Sequence, residues 1–282
     1  MHVPSEMLTG SVCPVTVAVS LSVVLLAGLS LLKKHQDHLI KRFILVSALI
    51  FCGQMLNFHI ASDVSGHLIG GVLAAACLGI PAAILSISLV LVVQSFLFAD
   101  GGDLAANVLN MAIVGAGLGG LLRLGLKCYI GEHLATFVAA ASSVLLAVLI
   151  LSVELLASFQ TEQNLCLSLL KAHFIIALFE GAITVALLAV ISEKNAIKSL
   201  AALLMTAICC TPLASHLPDA FEKVMRNAGL FVEETQQAPF AGYLVTGINN
   251  GYLATSLAAL IGVLAIAGVA SGVTFMTNLR RR

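Results

Sequence analysis

Residues 134–158 read LATFVAAASSVLLAVLILSVELLAS, from Leu134 to Ser158, and carry a single charge, Glu154. As an α-helix this stretch is about 37 Å long, enough to cross the ~30 Å hydrocarbon core of a bilayer. Outward from it, similar apolar runs follow one another with short polar breaks. Helices are expected at about 15–32, 43–61, 68–79, 81–99, 104–123, 134–158, 171–192, 199–216 and 246–277. The third is too short to cross alone: twelve residues rise roughly 18 Å. It must be sheltered by neighbours or re-entrant. Pro81 then opens the fourth helix in its first turn, where a missing N–H is harmless.

Composition agrees. Of 282 residues, 60% are hydrophobic and 10% charged, and mean hydropathy is +1.06. A soluble domain carries about 25% charged residues, so lipid must be part of this chain's solvent. The expected class is an all-α integral membrane protein: a seven-helix block, then two further transmembrane helices flanking an extracytoplasmic loop. Net charge is zero, so no basic face for nucleic acid is expected. The seven cysteines are scattered without a CxxC pair and read as small buried hydrophobes. No phosphate-binding Gly-x-x-x-x-Gly-Lys-Ser/Thr loop is present, so ATP hydrolysis is not expected here.

Lysine and arginine set the orientation. With the N-terminus outside and the third helix counted as a crossing, eleven of the fourteen basic residues fall inside: Lys33, Lys34, Lys41, Arg42, Arg123, Lys127, Lys194, Lys198, Arg280, Arg281 and Arg282. Only Lys171, Lys223 and Arg226 fall outside. The expectation is an inner (plasma) membrane protein, N-terminus out and C-terminus cytoplasmic. Residues 1–10 hold no Lys or Arg, and no Ala-x-Ala site follows the first apolar run. The start therefore reads as a first membrane helix with Met1 retained, rather than a signal peptide. The chain divides at a charged hinge, 192–199, into blocks 1–192 and 199–282. The second block contains a polar stretch at about 217–245.

Two places carry metal chemistry. A His at position 2 offers three consecutive nitrogens: the α-amine of Met1, the His2 amide once deprotonated, and the His2 imidazole. They close a five- and a six-membered chelate ring and favour a planar set, which suits Ni2+ and Cu2+. His67, in Ser65-Gly66-His67-Leu68, lies at a helix start on the same side and supplies a fourth nitrogen. Gly66 and Gly70-Gly71 leave room for close approach. An interfacial polar histidine is the bland alternative. Gln94, Asn107, Asn110, Ser65 and Asp100 are candidates for orienting those ligands; helix–helix bonding is the other role open to them. Asp100 and Asp103 would attract cations. His173 and Glu180 share a helix face, as a structural pair or part of a path. His59 reads as a non-ligand and His216 as a cap of the eighth helix.

The ordered motifs resemble the CbiM/NikM family. They are Met1-His2-Val3-Pro4, Gln54-Met55-Leu56-Asn57-Phe58, Ser65-Gly66-His67-Leu68 with Gly70-Gly71, Asp100-Gly101-Gly102, Ala106-Asn107-Val108-Leu109-Asn110-Met111, and His173 with Glu180-Gly181-Ala182. The resemblance covers residues 1 to about 190. It implies a substrate-capture (S) component of an energy-coupling-factor ABC transporter for cobalt or nickel. It implies metal ligation by Met1, His2 and His67. It also implies a membrane-embedded CbiQ/NikQ-like T subunit and cytoplasmic CbiO/NikO-like ATPase subunits as partners. Leu217-Pro218-Asp219-Ala220-Phe221-Glu222 is similar to the Pro-Asp-Gly-Leu-Glu motif of the CbiN/NikN accessory subunits, with Ala220-Phe221 in place of Gly-Leu. The resemblance thus implies a fused capture-plus-accessory protein. Metal binding should release protons from the amine, the imidazoles and the amide, and weaken in acid. The residues alone leave open an ATPase-independent secondary transporter of another solute, or a membrane metal sensor. They do not favour an enzyme, since no nucleophile–base pair or cofactor motif occurs.

Overall fold

The computed structural model describes residues 2–5, 7–32, 37–61, 63–159, 163–191, 193–231, 233 and 237–279. Met1, and the basic Lys33, Lys34, Arg280, Arg281 and Arg282 of the orientation count, lie outside them. In chain order the elements are α1 (Val12–Leu32), α2 (Asp37–Met55), a hairpin of β1 (Phe58–Ala61) and β2 (Val64–Gly66), α3 (Gly71–Leu78) and α4 (Ile80–Phe98). Then come α5 (Leu104–Asn107), a π-helical stretch (Val108–Leu118) and α6 (Gly119–Ile130), together one span, Leu104–Ile130. They are followed by α7 (Glu132–Phe159), α8 (Gln163–Val190), α9 (Ala196–Cys210), α10 (Ala220–Asn227) and α11 (Gly251–Leu279).

The fold is an all-α membrane bundle. Among the described residues, seven helices are long and apolar enough to cross a membrane. The expectation of nine is not confirmed. The third helix has only eight residues, about 12 Å. It is sheltered instead: Gly71 to Ala75 are buried, and the helix packs on α4, α7, α8 and the π-helical stretch. Contact is backbone to backbone, since a Cβ on Gly71 would lie 2.4 Å from the Gly115 carbonyl carbon. By contrast α1 shows Leu21, Leu25, Leu26 and Leu29 on its outer face, as a lipid-facing helix does.

Several boundaries differ from the sequence expectation. The second helix stops at Met55, and residues 58–61 turn into β1 rather than continuing to 61. β1 pairs antiparallel with β2, with Phe58 opposite Gly66 and His59 opposite Ser65. Main-chain groups of the hairpin are met by the pairing of its strands and by the Pro218 carbonyl, which accepts from the Ser65 N–H, so no helix is needed there. The span from 104 runs on to Ile130, past 123, to the Gly131 turn. Within the polar stretch 217–245, α10 forms a short amphipathic helix capped by Asp219. His216 lies in coil beyond the helical turn that ends at Leu213 and caps nothing in the structure.

Residues beyond 196 pack on the first block. α9 and α11 lie along α2. Gly262 makes this possible, for a Cβ there would stand 2.1 Å from the tip of the Phe51 ring. α10 rests on α8 and β2.

Candidate metal centre

The end of the bundle that carries the hairpin also carries residues 2–5 and the 99–103 turn. Each is fixed by buried hydrogen bonds. The Asn107 side chain works as a short strand partner for Val3. Its Oδ1 accepts from the Val3 N–H at 2.8 Å, and its Nδ2 donates to the Val3 and Gly101 carbonyls at 3.0 Å each. The Asp103 N–H adds a bond to the Val3 carbonyl at 3.1 Å. Val3 is fully buried, and the His2 side chain beside it is only 7% exposed. Gly101 has a positive φ of 74°. A Cβ there would lie 2.8 Å from Asn107 Nδ2 and 3.2 Å from His2 Cβ, so only glycine fits.

His67 is held from the other side. Glu180 on α8 accepts from the Ile69 and Gly70 N–H groups at 2.8 Å each. The His67 Nδ1 lies 3.2 Å from the Leu68 carbonyl. A proton on Nδ1 satisfies that contact and leaves the Nε2 lone pair for a ligand.

These constraints bring His2 and His67 together. Their rings stack with centroids 5.0 Å apart and planes 21° apart. Burial lowers both imidazoles to a pKa of about 3, so both are neutral at pH 7 and keep lone pairs. The His2 Nε2 is buried without a hydrogen-bond partner, as are both amide atoms of Gln94. The Gln94 amide lies beside the His2 ring and the Tyr243 hydroxyl, at a geometry short of a formed bond. Unfilled buried polar atoms of this kind mark a place where a polar guest belongs.

A carboxylate stands at each end of the stacked pair. Asp100 Oδ1 is 3.5 Å from His2 Nδ1, and its Oδ2 accepts from the Tyr243 hydroxyl at 2.5 Å. Burial raises the Asp100 carboxyl above its ordinary range, against the lowering effect of the Tyr243 hydroxyl. Asp219 Oδ2 is 3.8 Å from His67 Nε2. A cavity of about 10 Å3 is lined by His67, His173, Asp219 and Ile176, the space one water needs. Among the described residues, no three His, Cys, Asp or Glu side chains converge as a metal cluster.

The sequence candidates divide. His2, His67, Gln94, Asn107 and Asp100 meet at one place. Ser65 stands behind His67: its Oγ donates to the Leu217 carbonyl at 2.7 Å and its N–H to Pro218 at 2.9 Å. Asn110 does not join them. Its Nδ2 donates to Glu154 on α7 at 2.8 Å, a bond between helices. Met1 is outside the described residues. Asp219 and Tyr243 were not anticipated as site residues. The Pro218-Asp219 motif was the available signal for the first. Nothing local signals the second.

Structure and site define a polytopic membrane protein with a buried, nitrogen-rich pocket at one end. Residues 2–196 match the CbiM model, described as the cobalt uptake substrate-specific transmembrane region, and residues 193–279 match the PDGLE domain. The chain belongs to the CbiM family, a family of nickel and cobalt transport proteins. A relative from Archaeoglobus fulgidus, named as a fused nickel transport protein NikMN, is 28% identical over 97% of this chain and 98% of its own. LarMN of Lactiplantibacillus plantarum, also named as a fused nickel transport protein, is 35% identical over 55% of this chain and 48% of its own. A crystal structure described as a truncated transition metal transporter superposes with a TM-score of 0.61. It is 28% identical and covers 69% of this chain and 99% of that one. The relatives are named as metal transport proteins, not enzymes.

Proposed function

We propose that this chain captures Ni2+ or Co2+ as cargo through the Met1 amine, the His2 amide and imidazole, and His67. The observation that carries this is the buried His2–His67 stack, with a centroid spacing of 5.0 Å and an unfilled His2 Nε2. Chelation through His2 Nδ1 takes that nitrogen from Asp100 to the metal. It leaves Nε2–H for an acceptor, and the Gln94 amide is at hand. Planar nitrogen ligation leans toward nickel.

The two matched regions act as capture unit and accessory unit, divided near the 192–199 hinge. The chain works as the S component of an energy-coupling-factor transporter, with a membrane-embedded T subunit and cytoplasmic ATPases as partners. The basic-residue asymmetry supports an N-terminus outside and a C-terminus in the cytoplasm, so the metal end faces out.

The test is Ni2+ and Co2+ titration of full-length, untagged protein in detergent. His2→Ala and His67→Ala should each weaken binding by about 100-fold or more, since each removes a metal ligand and ligand loss exceeds the 10–100-fold cost of losing an outer partner. Unchanged affinity in both variants sinks the site. A blocking tag on Met1 should have the same effect as His2→Ala. Uptake that persists in membranes lacking the ATPase subunits would favour a secondary transporter instead.

A further inference from the structure

The segment after the hinge reaches the stacked histidines at two points. Asp219 faces His67 Nε2 at 3.8 Å, and the Tyr243 hydroxyl holds Asp100, which faces His2. Both contacts are built rather than incidental. Asp219 Oδ1 accepts from the Glu222 N–H at 2.8 Å, capping α10. Its backbone is bridged in parallel to Ser65, whose N–H and hydroxyl bond Pro218 and Leu217. One carboxylate oxygen is thus fixed by the helix cap, which aims the other at the imidazole nitrogen that a metal would use. Tyr243 stacks on Phe98 with centroids 4.8 Å apart and holds a left-handed φ of 60°, a conformation such a residue adopts only when its surroundings impose it.

Charge supplies the reason. A dication on two neutral imidazoles, an amine and one deprotonated amide leaves one net positive charge beside side chains that are only 7% (His2) and 5% (His67) exposed. A buried charge needs compensation. Two carboxylates face the ligating nitrogens: Asp100 of the capture block, whose other oxygen is taken by the Tyr243 hydroxyl, at His2 Nδ1, and Asp219 of the accessory segment at His67 Nε2.

We infer that the accessory segment is a working part of the metal site: Asp219 supplies the counter-charge for the captured dication, and Tyr243 fixes Asp100 against His2. Asp219 is a positioning and charge-balancing residue, not a ligand. The inference rests on the capture-site reading above, and the test separates the two.

The probe is Ni2+ alone, titrated into full-length untagged protein, with melting curves of the metal-free and nickel-bound forms. Asp219→Asn keeps an oxygen for the α10 cap and removes the charge. It should weaken Ni2+ binding about 10- to 100-fold and shrink the nickel-induced rise in melting temperature. Tyr243→Phe keeps the ring stack and should weaken binding in the same direction by less. Ser65→Ala, which removes the hydroxyl's bonds to the Leu217 and Pro218 carbonyls, should do likewise. Parental affinity in Asp219→Asn, with binding lost in His2→Ala, overturns the role of the accessory segment and leaves the capture site standing. So does a lower metal-free melting temperature with unchanged affinity, which marks Asp219 as structural only. Parental affinity in His2→Ala overturns the capture site itself.

Discussion

The two ends of the bundle are built on opposite plans. At the His2–His67 end the cavity is about 10 Å3, the imidazoles are neutral, and polar atoms of His2 and Gln94 stand unfilled. At the other end a cavity of about 820 Å3 is lined by Arg42, Arg123, Lys127, Glu132 and His133 among apolar residues. There the charges satisfy one another: Glu132 pairs with Arg123 and with Lys127, and Arg123 also donates to Thr136. The difference teaches what selectivity requires. A narrow, buried site with unfilled polar atoms suits the proposed exchange of a dication's water for protein nitrogen. A wide basin of paired charges has water and counter-ions to spare, and no reason to prefer one cation.

Substitutions should break that contrast at the metal end and barely touch it at the other. The largest effect is expected from Asn107→Ala. It removes three buried hydrogen bonds that hold Val3 and Gly101, worth roughly 1 kcal/mol each. Nickel affinity should fall by about 100-fold, at ~1.4 kcal/mol per tenfold; titration of the metal-free variant checks it. Glu180→Ala leaves the Ile69 and Gly70 N–H groups unpaired and should cost about 3 kcal/mol, read as denaturant stability in detergent. Gly101→Ala puts a Cβ against Asn107 and His2 at a positive φ. It should cost about 1–3 kcal/mol and depress nickel binding more than the melting temperature.

The pH dependence is smaller and sharpens the comparison. Burial holds His2 and His67 near a pKa of about 3 in the folded chain, against about 6.5 unfolded. Between these values the unfolded chain binds protons that the folded chain refuses, so metal-free stability should fall as pH drops from about 6.5 toward 3. His67→Ala should flatten that slope in melting curves at pH 7, 6 and 5; an equally steep slope would show that other groups carry it. The smallest effect belongs to the other end. Arg123→Gln breaks a pair with a half-exposed partner and should change stability by no more than about 1 kcal/mol, with nickel affinity unchanged.

Much of this was legible in residue order. Long apolar runs such as 134–158 declare membrane helices without any packing information, because lipid itself demands them. The Met1-His2 pair and His67 stand out as candidate nitrogen donors by residue type, and Asn107 and Asp100 were visible as polar groups near the same rim. The hairpin at 58–66 was not legible: Phe58-His59-Ile60-Ala61 continues an apolar run, and only its pairing with 64–66 makes it a strand. Asn110 illustrates the same limit. It lies one turn from Asn107, yet the bundle turns it to Glu154 and turns Asn107 to Val3.

The sequence by itself determined the class and the all-helical character, because hydrophobic length is a local property, and it named the candidate nitrogen donors by residue type. Only the tertiary structure decided which polar groups meet. Asp219 and His67 are distant in the chain, as are Tyr243 and Asp100 and Asn107 and Val3. Helices apolar on nearly every face carry little periodic signal of their rotation. Which side faces inward is settled by close packing, at Gly71 against Gly115 and Gly262 against Phe51.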